Sequence, residues 1–344
     1  MNKILSLFDE QFVLELLRQE VLPLYPAFTA IKQVDIYPYK ELVWETTYHV
    51  VIGFNVYFLT PAGGIVKIPI VCSAHSSEPR ENVYKALCYL WDKNLPGHGV
   101  DLPRPLFFSP EFNGTFYRGL KGENLLHFIK NKDQVSIKKI IIGAAELFAK
   151  LHALPVSSEA NFNPANSRIK TVIPGVPHIL QEITNRYGNK YKSDLEKIYG
   201  LFISAEEKFL SNDSSVSGPL SLIHGDAHPE NILQTVKHHL GLIDFTDFCL
   251  GDFTRDLGSF VQQLEYKIIN KGGDEVYAHQ MKNLFLDTYF KISARQRTEI
   301  VEEHLQLYYN WTAIRTATYL FLKFDHDEAR AAILLNQVKK NLGL

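Results

Sequence analysis

Three polar side chains in the second half of the sequence have the types and spacing of a site that handles phosphate. Asp226 and Asn231 flank a turn that contains a proline. Asp244 ends an apolar run that can pair with Ile232–Leu233 across a turn at Lys237–His238. Such a hairpin brings a carboxylate and an amide oxygen to one point, which is the hard-oxygen arrangement that Mg²⁺ with bound phosphates needs. Asp226 is then free to receive a proton from a hydroxyl group.

Two alternative interpretations of this segment do not involve phosphate. Asp, Asn and Gly favour turns for their own reasons, so the same residues also suit a turn-rich hairpin of buried polar groups. His224 and His228 are four residues apart, which is the spacing of two zinc ligands on one helix face. Gly225 and Pro229 argue against a helix at this point, and no third ligand at a sensible spacing accompanies the histidines.

The residues of this segment form a long ordered string, which turn propensity does not specify. It reads His-Gly-Asp-Ala-His-Pro-Glu-Asn-Ile-Leu over 224–233, and Ile-Asp-Phe follows at 243–245. The string resembles the signature of the aminoglycoside phosphotransferase and choline kinase family, whose fold is like that of protein kinases. Segments 120–125 and 147–154 also look like family elements, so the similarity covers most of the chain from about residue 30.

The resemblance implies a role for each polar residue of the segment. Asp226 is the implied catalytic base, and Asn231 and Asp244 are the implied ligands of Mg²⁺. Three further side chains are implied to support the loop and not to react: His224, Asp252 and Asp256. The implied co-substrate is ATP or GTP.

Hydrophobic patterning predicts elements that agree with a kinase-like fold. Helical spacing over 10–22 predicts an additional N-terminal helix, and residues 65–71 form the second strand of a predicted hairpin that precedes a helix around 83–91. We therefore predict an α+β, bilobal, protein-kinase-like fold. Residues 1–118 form a small antiparallel-sheet N-lobe that binds the nucleotide, and 119–344 form a larger, mainly helical C-lobe for catalysis and substrate binding.

Kinase-like chemistry also needs a cation on the phosphates and a carboxylate that orients this cation. Lys67, within the strand after the Gly63-Gly64 turn, is the candidate cation. Glu81 is its predicted partner, because it lies at the edge of the apolar face of the following helix. Glu78 is the alternative, although Pro79 disfavours a helical conformation there. In the competing interpretation, Lys67 is an exposed strand lysine and Glu81 is a solvated charge on the helix.

The purine base and the phosphates make two further demands on the N-lobe. The hinge that meets the base falls near Tyr117, Arg118 and Gly119, of which Tyr117 and Gly119 are the predicted cofactor-binding residues. A Gly-rich turn usually covers the phosphates between the first two strands, yet residues 37–53 contain no glycine until their end, and no Walker A sequence replaces it. Backbone donors of Thr46 and its neighbours are the alternative cover.

Three classes of function are compatible with these residues. The favoured one is transfer of the γ-phosphoryl group of ATP or GTP to a hydroxyl of a small molecule, such as an aminoglycoside-like antibiotic, an amino alcohol, a sugar or another metabolite. A protein kinase is disfavoured, because the six residues between Asp244 and Gly251 leave no room for an activation loop. A catalytically inactive nucleotide-binding or partner-binding module is the alternative, although the base and both metal ligands are present. Carboxylates on the C-terminal helices, among them Glu265, Asp327 and Glu328, would suit a cationic acceptor, but acidic residues on helices usually form a solvated face.

Composition limits the partners and the compartment. A formal net charge of -2 over 344 residues gives no footprint for nucleic acid or for an anionic membrane surface. Apolar stretches are interrupted by charges well short of the ~20 residues that span a bilayer, and the first residues are too short an apolar run for a signal peptide. The three widely spaced cysteines fit reduced thiols. We therefore predict a cytoplasmic protein, and its oligomeric state stays open.

Overall fold

The computed structural model describes residues 2–97, 99–172, 174–211, 220–236 and 238–344 and separates into two compact units. Unit 1 consists of Met1–Glu123 and Gln234–Thr246, and unit 2 of Asn124–Leu233 and Asp247–Leu344. Of the predicted turn at Lys237–His238, Lys237 lies outside the described residues.

The long strands lie in the first part of the chain, and most of the helices follow them. The strands are β1 (Ala30–Val43), β2 (Tyr48–Leu59), β3 (Ile65–His75), β4 (Val100–Asp101), β5 (Arg104–Ser109), β6 (Gly114–Arg118), β7 (Gly122–Asn124), β8 (Ser221–Ile223), β9 (Ile232–Thr235), β10 (Leu240–Leu242) and β11 (Cys249–Gly251). The helices are α1 (Glu10–Glu20), α2 (Glu81–Asp92), α3 (Leu125–Lys130), α4 (Gln134–His152), α5 (Val176–Tyr187), α6 (Lys192–Ser211), α7 (Phe253–Gly272), α8 (Glu275–Ile292), α9 (Glu299–Leu322) and α10 (Glu328–Asn341).

Unit 1 is built on a five-stranded antiparallel sheet in the order β1-β2-β3-β6-β5. Alternate residues of β2, such as Phe54 and Phe58, are fully buried, because strand side chains point to opposite faces in turn. Helix α1 contributes Val13 and Leu17 to the same core and is capped by Asp9, whose carboxylate accepts a hydrogen bond from the helix. The additional N-terminal helix and the β2-β3 hairpin are therefore confirmed, with β3 four residues longer than the predicted 65–71.

A smaller sheet in the order β4-β10-β9-β7 contains two of the three points at which the chain passes from one unit to the other. β9 and β10 are neighbours in this sheet, which confirms the hairpin predicted for the apolar runs before Asp244. A third sheet, of two strands, pairs β8 with β11 in unit 2.

Unit 2 is mainly helical and is centred on α7 and α9, which pack against each other. Both helices are buried along most of their length, and Trp311 and Phe321 of α9 are fully buried in an apolar cluster. A small antiparallel-sheet unit and a larger helical unit are the parts of the predicted α+β kinase-like fold, which is confirmed. None of the helices in the described ranges is both long and apolar enough to cross a membrane.

Candidate active site

The loop that carries Asp226 follows β8 in unit 2 and is shaped by two contacts. Gly225 has a φ of +82°, and a Cβ atom at this position would lie 2.2 Å from the carbonyl oxygen of Asp247, so no other residue fits without a shift of the backbone. The backbone N–H groups of His224 and Gly225 donate to the carboxylate of Asp256 at 2.7 and 2.9 Å. This double hydrogen bond confirms the prediction that Asp256 supports the loop.

Asp256 is itself held by buried neighbours. Burial lowers the pKa of His152, so its ring is neutral, and Nε2–H donates to Asp256 at 3.1 Å while Nδ1 lies 2.9 Å from the Tyr289 hydroxyl. Burial opposes the charge on Asp256, but the His152 hydrogen bond and the loop N–H groups lower the pKa of the carboxyl below its usual range. The carboxylate is therefore ionised and able to accept both loop hydrogen bonds.

Asp252, the other predicted supporting aspartate, acts at the start of α7. Its carboxylate accepts a hydrogen bond from the Thr254 N–H at 2.9 Å, which caps the helix, and it lies 2.5 Å from Nδ1 of His304. Asp252 therefore fixes the helix that presents Asp256.

Asp226 lies at the end of a row of alternating charges. His228 Nε2 is 3.3 Å from Oδ2 of Asp226, His228 Nδ1 is 2.9 Å from Oε2 of Glu230, and Lys267 forms an ion pair with Glu230. The side chain of Asp226 remains 37% exposed. Oδ1 of Asp226 has no hydrogen bond to another described residue, so this oxygen is available to a ligand.

The pKa values in this row favour the charged forms. Burial opposes a charged His228, but the hydrogen bonds to Asp226 and Glu230 raise the pKa of His228 to about 10. Asn231 Nδ2 lies 3.1 Å from His228 Nε2, and the Glu230 N–H lies 3.2 Å from His228 Nδ1. Both contacts favour unprotonated nitrogens, and the two carboxylates outweigh them. Burial likewise opposes ionisation of Asp226, but His228 lowers the pKa of the Asp226 carboxyl. Asp226 is thus a carboxylate at neutral pH.

A pH titration of stability tests the charge on His228. The folded pKa of about 10 lies above the unfolded value of about 6.5, so the pairing contributes stability below pH 6.5 that is lost as pH rises towards 10. We expect the difference in free energy of unfolding between wild type and His228→Gln to shrink steadily between pH 6 and pH 10 in urea denaturation. The depressed pKa values of Asp226 and Glu230 act only in acid, outside this window. A difference that stays constant would show that His228 is neutral in the folded protein.

Asn231 and Asp244 each present an oxygen suited to a metal ion. Nδ2 of the largely buried Asn231 donates to the backbone oxygen of Asp226 at 3.0 Å, which leaves Oδ1 without a hydrogen bond to any described residue. Oδ1 of Asp244 accepts from the Thr246 hydroxyl at 2.7 Å, and Oδ2 has no such partner among the described residues. Asp244 also has a φ of +64°, an uncommon conformation that Asp tolerates better than most residues.

These two oxygens fit Mg²⁺ by their chemistry. The ion is hard, prefers oxygen, and usually takes one or two protein ligands while phosphates and water fill the other positions. Within the described ranges no three His, Cys, Asp or Glu side chains form a group that could hold a metal ion. Asn231 belongs to unit 2 and Asp244 to unit 1.

The structure does not bring Lys67 and Glu81 together as an ion pair in the described chain. Lys67 lies opposite Tyr57 at the start of β3, with Nζ 5.6 Å from the ring centre. Glu81 begins α2 and pairs one turn later with Lys85 at 3.1 Å, on an exposed helix surface. Glu78, the alternative partner, pairs with Arg80 at 3.3 Å. The predicted orientation of Lys67 by a carboxylate of this helix is therefore not seen.

The other predicted cofactor-binding residues lie in two places in unit 1. Gly119 lines a cavity of about 460 Å³ that Lys67 also lines. Tyr117 lies opposite Val71 in the sheet, and burial together with the nearby charge of Asp244 raises the pKa of its hydroxyl. Tyr117 thus lies near Asp244, whereas Lys67 and Gly119 line the cavity, which is a separate place in unit 1.

The carboxylates of the C-terminal helices are engaged in contacts within unit 2. Glu265 pairs with Lys282 at 3.0 Å, and Glu328 pairs with Lys190 at 2.7 Å. Asp327 caps the start of α10. These contacts account for the three carboxylates without a cationic ligand.

Comparison with known proteins identifies the family. Residues 54–292, more than half of the chain, match the phosphotransferase enzyme family. The chain therefore belongs to this family. A comparison with curated protein sequences gives no match.

Solved structures with a similar fold include kinases of small molecules. An ethanolamine kinase from Plasmodium vivax has a TM-score of 0.52 and 16% identity, with 88% of this chain and 81% of that one covered. A choline kinase from Streptococcus pneumoniae has a TM-score of 0.52 and 14% identity, with 96% and 98% covered. A spectinomycin phosphotransferase in complex with ADP and spectinomycin has a TM-score of 0.54 and 11% identity, with 96% and 94% covered. At these identities the likeness shows the fold.

Proposed function

We propose that this protein transfers the γ-phosphoryl group of ATP or GTP to a hydroxyl group of a small molecule. The observation that carries the proposal is the state of Asp226: an ionised, partly exposed carboxylate on a loop that Asp256 holds in place, with one oxygen that has no hydrogen bond to another described residue. Membership of the phosphotransferase family supports the reaction type.

In the proposed mechanism Asp226 orients the acceptor and takes its proton. The acceptor hydroxyl donates a hydrogen bond to Oδ1 of Asp226, since His228 occupies Oδ2. As the oxygen bonds to the γ-phosphorus, its proton passes to Oδ1, and the nucleoside diphosphate leaves with the electrons of the broken P–O bond. Asn231 and Asp244 are the proposed ligands of Mg²⁺, which when bound neutralises charge on the phosphates.

A small acceptor is proposed on two grounds. The fold neighbours act on ethanolamine, choline and spectinomycin by their names, and the Asp244–Gly251 connection is too short for an activation loop. The internal pairing of Glu265 and Glu328 gives no preference for a cationic acceptor. An amino alcohol, a sugar, an antibiotic and another hydroxylated metabolite are therefore all to be tested.

A second candidate is an inactive nucleotide-binding or partner-binding module of the same fold. The observation that favours it is the separate placement of Lys67 and Glu81, because a kinase-like site orients its phosphate-binding lysine with a carboxylate. Turnover separates the two candidates: nucleoside diphosphate release in the presence of one of the hydroxylated acceptors favours the enzyme.

Nucleotide binding is the first test of the proposal. A ligand present at 100 times its Kd stabilises a folded protein by ~2.7 kcal/mol, so we expect ATP or GTP with Mg²⁺ to raise the melting temperature by a few degrees. Chelation of Mg²⁺ by EDTA should reduce that rise, because Asn231 and Asp244 reach the phosphates only through the metal. The measurement is a thermal melt followed by circular dichroism. A folded protein that neither nucleotide stabilises at millimolar concentration would overturn the proposed function.

A further inference from the structure

The strand register of unit 1 places a lysine of β1 beside the C-terminal half of β3, away from Lys67. Lys40 lies opposite Val51 of β2, and Val51 lies opposite Ser73 of β3. Directly paired residues in a sheet project to the same face, so Lys40 and Ser73 share one cross-strand row. The next row on this face contains Val71 and Tyr117, the tyrosine whose pKa is raised by burial and then by the charge of Asp244.

Lys67 lies nearer the start of β3 than Val71 does. It precedes Val71 by four residues, which is about 13 Å of extended chain. Asp244 is the proposed metal ligand in unit 1, so the phosphates that bind this metal lie near Asp244. Lys67 therefore lies near the start of β3, with its ammonium over Tyr57, away from the row that contains Val71 and Tyr117.

Two cations lie near Asp244 in unit 1. Burial and the charge of Arg80 lower the pKa of Lys40, while the charge of Asp244 raises it, so Lys40 lies close to both charged groups. Hydrogen bonds also join the first turn of α2 to Asp244. Asn82, two residues after Arg80, donates to the Thr246 carbonyl at 2.9 Å, and the Thr246 hydroxyl donates to Asp244.

Lys40 is positioned by a neutral histidine. Its Nζ lies 3.3 Å from Nε2 of His49, whose ring packs edge-on against His75 at 4.8 Å. Burial, followed by the charges of Lys40 and Arg80, lowers the pKa of His49 to about 4. Nδ1 of His75 accepts hydrogen bonds from the N–H groups of Ser77 and Glu78, at 3.2 and 3.0 Å. Both histidines are therefore neutral at pH 7 and do not compete with the lysine for an anion.

Arg80 is built into the fold, yet its charge is only partly compensated. The residue is 4% exposed, its backbone N–H donates to Asn113, and its carbonyl accepts from Thr115. The guanidinium donates through Nη1 to Glu78, whose side chain is 43% exposed, and the buried Nε has no hydrogen-bond partner in the described chain. Buried donors without a partner are rare, which marks this group as one that awaits an anion.

We propose that Lys40 of β1 and Arg80 at the start of α2 are the cations that bind the nucleotide phosphates in this protein. The inference rests on the proposed function, and it assigns to β1 and the α2 N-terminus a role that Lys67 of β3 was expected to perform. Phosphate oxygens bound by Lys40 and Arg80 lie on the side of unit 1 that carries Asp244.

The test compares a nucleoside triphosphate with its nucleoside by titration calorimetry in the presence of Mg²⁺. The ligands are ATP with adenosine, or GTP with guanosine, according to which triphosphate the wild type binds. We expect Lys40→Ala to weaken triphosphate binding about tenfold or more, since a charge-assisted hydrogen bond is lost, and to leave nucleoside binding within about twofold. Lys32→Ala, an exposed lysine of the same strand, is the matched control and should bind like wild type.

Arg80→Lys and Lys67→Ala complete the design. Arg80→Lys keeps the charge but removes the fork of donors, so it should weaken triphosphate binding selectively, with a thermal melt to show that α2 and the sheet remain folded. Triphosphate affinity that is unchanged in Lys40→Ala, or lost in Lys67→Ala while Lys40→Ala binds normally, would overturn the inference and leave the proposed function standing. Failure of the folded wild type to bind either triphosphate would overturn both.

Discussion

Replacement of Asp226 by asparagine should abolish most of the phosphoryl transfer without loss of nucleotide binding. The amide has nearly the same size as the carboxylate, and its oxygen can still accept a hydrogen bond, so the loop held by Asp256 should keep its conformation. An amide cannot take the hydroxyl proton. Removal of a general base typically costs ~10²-fold to 10⁴-fold in turnover, and we expect a loss within this range.

The measurement is turnover with the acceptor found in the screen, together with the Kd of the triphosphate with Mg²⁺. Asp287→Asn is the control, because Asp287 is an exposed aspartate of α8 that pairs with Arg297. The control should keep wild-type turnover. Near-normal phosphoryl transfer by Asp226→Asn would remove the catalytic assignment and the mechanism with it.

Much of the fold is predictable from local signals in the sequence. The hairpin β2-β3 is visible because apolar alternation surrounds a Gly-rich turn, and α1 because its apolar residues repeat with helical spacing and stop before Pro23. The loop at Asp226 is visible because its residues are contiguous. Functional residues that lie in one continuous segment can therefore be recognised without a structure.

Contacts between segments that are distant in sequence cannot be predicted in the same way. The row from Asp226 to Glu230 lies within five residues, but Lys267 joins it from α7, and no local pattern marks that lysine. The helical spacing of His228 to His224 suggests a zinc ligand, whereas the actual neighbours of His228 are two carboxylates at i-2 and i+2. The feature of the sequence that indicates these contacts is the alternation Asp-x-His-x-Glu over 226–230.

The phosphate-binding cation also cannot be predicted from the sequence alone, because its identity depends on the strand register. Lys67 is the candidate from sequence because it lies on the strand after a glycine turn, where a kinase-like lysine is expected. Its predicted role stays a prediction. Which lysine reaches Asp244 depends on how β1 aligns with β2, and a bulge between Pro38 and Lys40 sets that alignment. The hydrophobic periodicity of the sequence does not indicate where a bulge occurs, so no sequence pattern marks Lys40 as a phosphate-binding residue.

Replacement of Asp244 by asparagine should give the opposite signature to Asp226→Asn in a binding assay. Asparagine also tolerates a positive φ, and its amide oxygen can accept the hydrogen bond from the Thr246 hydroxyl, so the local backbone should survive. The charge that holds Mg²⁺ is lost. We expect the Kd of the triphosphate with Mg²⁺ to rise about tenfold or more, with a fall in turnover that added Mg²⁺ partly restores.

The same variant without metal distinguishes loss of a ligand from damage to the fold. In EDTA the triphosphate carries its full negative charge, and the carboxylate of Asp244 repels it while Lys40 and Arg80 attract it. Asp244→Asn removes only the repulsion. Its affinity for the metal-free triphosphate, measured by calorimetry, should therefore equal or exceed that of wild type. An equal loss of affinity with and without Mg²⁺ would mean that Asp244 shapes the site and does not bind the metal.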